Sequence, residues 1–177
     1  MLKASKTKKR IILLDSILNV ISDTQIYETI DYKRKNEDFI KQFMYQPLLH
    51  NLIQRYKNEG YKESTCIKKS KESLIWESNK QTVLHNMVLF GTQHRPDMEI
   101  STNDISIAVE VKKGCCGTDI RQGIGQGIVY STKYDFVIFL FIDTSDDKRI
   151  FNSMNSKKES IIGQSLWDNY NIMFSVV

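Results

Sequence analysis

Apolar positions recur every three or four residues through residues 10–22 (RIILLDSILNVIS), the spacing of a short amphipathic helix. Ser22, Asp23 and Thr24 then end that helix or cap the next. Residues 25–45 are rich in charge but keep Ile26, Ile30, Phe39, Ile40 and Phe43 at roughly helical spacing. Pro47 suits the first position of a fresh helix, with Leu48, Leu49, Leu52, Ile53 and Tyr56 as its apolar face and Gly60 as its stop. The pattern then changes. Residues 73–77 and 83–90 read as strands, and 97–101 and 105–112 as two more around the turn Thr102-Asn103-Asp104. Thr118 and Asp119 can cap a helix reaching residue 131. The unbroken apolar run 136–142 has the character of a strand buried on both faces. A helix over 145–166 and a strand over 172–177 complete the chain. Helices, a β-meander, then helix–strand–helix–strand predict an α/β protein with a mixed sheet flanked by helices. The 177 residues fit one domain, a tail and helix over 1–24 followed by a globular unit over 25–177.

Alternation along 105–112 puts Ile105, Ile107, Val109 and Val111 on one face and Glu110 and Lys112 on the other. Asp97, on the neighbouring strand of the hairpin, can approach Glu110 across the ladder. Two carboxylates held close repel unless a cation lies between them, and hard oxygen donors suit Mg²⁺. Lys112 beside such an ion can orient a water or accept its proton. The second role requires a depressed pKa, for which desolvation and the nearby cation are causes. Asp31-Tyr32-Lys33 and Asp146-Asp147-Lys148 have the same residue types without the strand context.

Pro96-Asp97, the intervening residues 98–109 and Glu110-Val111-Lys112 resemble, in type, order and spacing, the motif of the PD-(D/E)xK phosphodiesterase superfamily, which has the restriction-endonuclease-like fold. The resemblance covers roughly residues 37–142 and includes the strand–turn–strand context, the helix after it and the buried strand. It implies a metal held by Asp97, Glu110 and the Val111 carbonyl, with Lys112 at the attacking water. The metal it implies is Mg²⁺, with Mn²⁺ as a substitute, and the substrate is a DNA phosphodiester. By the same resemblance, a glutamine on the following helix faces the metal site; Gln126 is the first choice and Gln122, on the same face, the second. Many members add a glutamate from the first core helix, here Glu37, with Glu28 as its rival. Gly123, Gly125 and Gly127 each cost that helix about 1 kcal/mol relative to alanine. They suggest close packing on the sheet or close approach of a phosphate backbone, and their spacing is not that of a dinucleotide fingerprint.

Charge adds a polyanion partner to this picture. The formal net charge is +4, but Lys3, Lys6, Lys8, Lys9 and Arg10 leave 20 basic against 21 acidic residues in the rest of the chain. Lys8, Lys9 and Arg10, with Arg95 beside the motif and Gln122, are the candidate DNA contacts. Three cysteines without a CxxC spacing argue against a disulfide framework or a Cys-rich metal site and fit a reducing, cytoplasmic setting. The longest apolar run, 136–142, is too short to span a membrane, and Asp15 interrupts the signal-like stretch 11–14. The expected function is a Mg²⁺-dependent DNA endonuclease of restriction, recombination or repair type, such as a junction resolvase. An RNA endonuclease and a catalytically silent nucleic-acid-binding or assembly module are the alternatives. A homodimer would simplify cutting two strands, although no coiled-coil pattern marks one.

Overall fold

The computed structural model describes residues 2–77, 87–154 and 156–177, with side chains from residue 7 onward. Its centre is a mixed five-stranded sheet in the order β1-β4-β5-β6-β7. Strands β1 (Leu74–Trp76), β4 (Met98–Ser101) and β5 (Ser106–Gly114) are antiparallel neighbours. Strands β6 (Phe136–Asp143) and β7 (Ile172–Val176) continue the sheet parallel to β5. A parallel step needs a crossover, and helix α5 (Gly117–Ser131) supplies the one between β5 and β6. Helices α6 (Arg149–Met154) and α7 (Lys157–Tyr170) lie between β6 and β7.

Both sheet faces are covered, which is why β6 reads as an unbroken apolar run and is buried at every position. On one face Ile107, Val109, Val111, Ile138, Leu140 and Ile142 meet helices α1 (Leu2–Ile21) and α3 (Glu37–Asn58). Those helices contribute Leu13, Leu14, Ile17 and Ile21, and Ile40, Met44, Leu48 and Leu52, at helical spacing. Each such side chain contributes about 1.5–3 kcal/mol by leaving water. On the other face Ala108, Val137, Phe139 and Phe141 pack under α5 and α7 through Tyr130 and Leu166. Among the described residues no helix is long and apolar enough to cross a membrane.

Several boundaries differ from the sequence expectation. Helix α1 starts at Leu2, so the basic segment forms its first turns instead of a separate tail. Arg10 within it is paired with Asp135, which also accepts from the Ser106 N–H at 2.8 Å, and its guanidinium lies over the Phe136 ring. The helical stretch expected over 25–45 is broken. Helix α2 (Thr24–Glu28) ends early, Asp31 adopts a positive φ, and Asn36 caps α3 by accepting from the Phe39 N–H at 2.9 Å. Pro47 lies inside α3 and does not start a new helix. It deprives the Phe43 carbonyl of its donor, but Phe43 and Gln46 are on an exposed side where water can substitute. Helix α4 (Glu63–Ser73) was not anticipated. The helix expected over 145–166 is two, α6 and α7. Of the strand expected over 83–90, residues 83–86 lie outside the described residues. The described remainder, β2 (Met87–Leu89), pairs with β3 (Thr92–His94) in a separate hairpin.

Candidate metal and catalytic site

The β4–β5 ladder ends at the pair Met98–Val109, so Asp97 and residues 110–112 stand just beyond it. There the Val111 N–H has lost its strand partner. The Asp97 carboxylate takes its place, with Oδ2 accepting from that N–H at 2.7 Å. An extended residue points its N–H and C=O to the same side, so the Val111 carbonyl is directed toward Asp97 as well. The Asp97 backbone is fixed in turn by the Glu77 N–H, which donates to its carbonyl at 3.1 Å. This geometry follows from the hairpin register: Val111 falls opposite Pro96, which has no N–H to offer its carbonyl.

Glu110 and Lys112 share the sheet face opposite Val109 and Val111, as alternation requires, but that face is covered and Glu110 is only 1% exposed. Lys112 Nζ donates to Glu110 Oε1 at 2.8 Å, while Glu110 Oε2 is buried without a partner. Asp97, 6% exposed, receives a second cation from α3, since Lys41 Nζ donates to its Oδ1 at 2.7 Å. One turn before Lys41 on the same helix face, Glu37 Oε1 accepts from the Lys113 N–H at 2.9 Å. From the other layer α5 brings Gln126, whose Oε1 is buried and unpartnered. One turn further on, the Tyr130 hydroxyl donates to the Arg95 carbonyl at 2.6 Å.

The electrostatics follow from this crowding. Burial, then the Asp97 charge, pushes the Glu110 carboxyl up to about 7, because the opposing pull of Lys112 and Lys41 is smaller. Burial works to lower the Lys112 pKa, but the hydrogen bond and charge of Glu110 win and hold it above its usual value. The Glu110 contact thus favours the ammonium form of Lys112. Lys41 is likewise raised: burial opposes, and Asp97 and Asp38 prevail. The Tyr130 hydroxyl is raised by burial and by the charges of Glu110 and Asp97.

Of the anticipated residues, Asp97, Glu110, Val111, Lys112, Glu37 and Gln126 meet at this end of the sheet. Glu28 is exposed on α2 and Gln122 is exposed on α5. Arg95 is half exposed, 3.8 Å from Glu77. Lys8 and Lys9 are exposed on α1, whereas the Arg10 guanidinium is engaged by Asp135 and so is not a free cation for DNA. Sequence reasoning missed Lys41 and Tyr130. The signal for both was helical spacing, Lys41 four after Glu37 and Tyr130 four after Gln126. Glu99 is also buried, but it is held by Tyr134 at 3.0 Å and by Ser101 and belongs to the packing of the sheet.

The donor set is hard: the Asp97 and Glu110 carboxylates, a backbone carbonyl and Glu37 within reach of the same strand. Among the described residues no three His, Cys, Asp or Glu side chains form a cluster that could hold a metal ion, and Lys41 and Lys112 each occupy one oxygen of the two central carboxylates. The orphaned Glu110 Oε2 is the specific observation that fits a divalent cation, because a buried carboxylate oxygen without a partner is costly. Comparison of the chain with family models, characterised proteins and solved structures finds no match.

Proposed function

We propose that the chain is a Mg²⁺-dependent endonuclease of PD-(D/E)xK type that hydrolyses DNA phosphodiester bonds. The observation that carries this reading is the convergence of Asp97, Glu110 and Lys112 beyond the end of one ladder, with Glu110 Oε2 left without a partner. The order helix, three antiparallel strands, helix, parallel strand, formed by α3, β1, β4, β5, α5 and β6, supports the restriction-endonuclease-like fold. Asp97, Glu110, the Val111 carbonyl and Glu37 would hold the ion, with Mn²⁺ as a substitute. When bound, the ion supplies an acidified water and charge neutralisation at the phosphate.

The chain's own residues do the rest. Lys41 pairs with Asp97 and aims it across the strand end. Lys112, protonated, places a positive charge and three donors beside Glu110, where it orients the attacking water and stabilises charge on a phosphate oxygen. Gln126 presents a free acceptor from the opposite layer for a water or a sugar hydroxyl. The test is nicking of supercoiled plasmid with Mg²⁺, Mn²⁺, Ca²⁺ or EDTA. Mg²⁺ and Mn²⁺ should support nicking, and Ca²⁺, with its looser shell, should support binding better than cleavage. Glu110→Gln should abolish nicking, and Lys112→Met should lower it by about a hundredfold or more. Undiminished nicking by a folded Glu110→Gln protein, or in excess EDTA, sinks the assignment. Binding in every metal with no cutting of DNA or RNA would make the chain the silent binding module instead.

A further inference from the structure

The β2–β3 hairpin carries two anomalies at one residue. Phe90 is 96% exposed, the highest value for a large apolar side chain among the described residues. It also sits at φ +50° beside Gly91 at φ +75°, in the two-residue loop that joins Leu89 to Thr92. Such a loop needs two positive φ values and favours Asn-Gly, so an aromatic ring at its first position is strained as well as wet. Nothing in the fold is gained from it. Val88, 69% exposed, lies two residues before it on the outer side of β2, paired with Gln93.

The hairpin is not a loose appendage. Met87 at its base packs against the cluster that contains Tyr130, and the Tyr130 hydroxyl holds the Arg95 carbonyl just after β3. Arg95 and Pro96 then run directly into Asp97. The hairpin is thus tied to the same helix that brings Gln126 to the carboxylates. From its base pair Met87–His94 the tip stands about 10 Å out, at roughly 3.3 Å per residue. A single ring on a narrow two-stranded arm is too small for a flat protein interface, but it has the dimensions of a wedge entering a base stack.

We propose that Phe90 is a wedge that inserts at a weakened base step of DNA bound across Asp97 and Glu110, with Gln93 and Arg95 contacting the strand beside it. This rests on the nuclease reading for the identity of the substrate. It makes the preferred substrate one whose unstacking is already partly done, a mismatched or branched duplex over a fully paired one.

The experiment uses the full chain carrying Glu110→Gln in Ca²⁺, so that DNA is bound and not consumed. Fully paired, mismatched and four-way-branched DNA each carry 2-aminopurine at the test step. Binding should raise 2-aminopurine emission. Phe90→Ala and Phe90→Asn should remove most of that rise and reduce the preference for mismatched or branched DNA by about fivefold or more, the lower end of the worth of one stacked base. Asn suits a positive φ, so Phe90→Asn should melt no lower than its parent, which separates loss of the ring from loss of the hairpin. Equal emission and equal preference in both variants overturns the wedge. So does a Phe90 dependence confined to self-association or lipid binding. Parallel nicking assays with Glu110 intact keep the two readings apart. Phe90-dependent unstacking without Mg²⁺-dependent cutting leaves the wedge and removes the nuclease. Cutting with Phe90-independent binding does the reverse.

Discussion

Glu110 has a partner for one carboxylate oxygen and none for the other. Its folded pKa of about 7 lies above the ordinary 4.5, so the folded chain binds this proton more tightly than the unfolded chain does. The stabilisation is complete below pH 4.5 and is lost as pH rises through 7. Metal-free protein should therefore lose about 3 kcal/mol from this group across that window. Glu110→Gln should flatten the corresponding part of a melting-temperature profile taken in EDTA. Mg²⁺ should flatten it in the unmodified protein, since a ligand of the ionised form offsets the loss. Parallel profiles for the two proteins would show that Glu110 titrates as an exposed carboxylate. At this scale the motif residues were legible because strand alternation fixes the face of Glu110 and Lys112 relative to Ile107, Val109 and Val111. Lys41 was not. In the stretch DYKRKNEDFIKQ one lysine looks like any other, and only the buried positions of Ile40 and Met44 around it reveal that it points inward.

Helix α5 shows how one sequence feature can have two causes. A Cβ on Gly123 would stand 2.2 Å from the Phe139 ring, whereas one on Gly125 would meet nothing within 4 Å. Gly123→Ala should destabilise by about 1–3 kcal/mol through overpacking, less whatever its better helix propensity returns. Gly125→Ala should stabilise by up to about 1 kcal/mol. Chemical denaturation of the two variants checks both signs. If Gly125 instead admits a phosphate backbone, the alanine variant will be more stable and yet bind DNA less tightly. Other elements were hidden for equally local reasons. The buried positions of α4 are Cys66, Ser70 and Ser73, small polar residues that leave no apolar period to read. The β3 strand has Thr92, Gln93 and His94, none fully buried, so neither alternation nor a hydrophobic run marked it. Pro47 read as a helix start because its ring favours that position, and tertiary packing of Leu48 and Leu52 on one side of α3 overrode it.

The whole molecule was the most legible level in its order and the least in its ends. The succession of helices, meander and crossover helix leads directly to a mixed sheet, because antiparallel hairpins and parallel crossovers have different connection lengths. The basic segment was harder to place, since a run of lysines has no pattern that distinguishes a tail from the first turns of a helix. Deleting residues 1–9 removes four cations but spares Arg10 and the buried seam that begins at Leu13. On long DNA this truncation should make the log–log salt slope of binding shallower by about 3 units if most of those charges reach phosphates. The rate at saturating DNA should not change. Parallel slopes in a salt titration would instead assign binding to the folded body. The Arg10–Asp135 pair adds a length to this expectation. Asp135 is fixed to Ser106, four residues before Glu110 on β5, so the Arg10 end of the basic segment and that carboxylate are separated by about four residues of strand. That is about 13 Å, or some four base pairs of axial rise. The molecule is in effect a ruler: an oligonucleotide shorter than this span can occupy one end or the other but not both, so the salt penalty of truncation should vanish below it and appear above it.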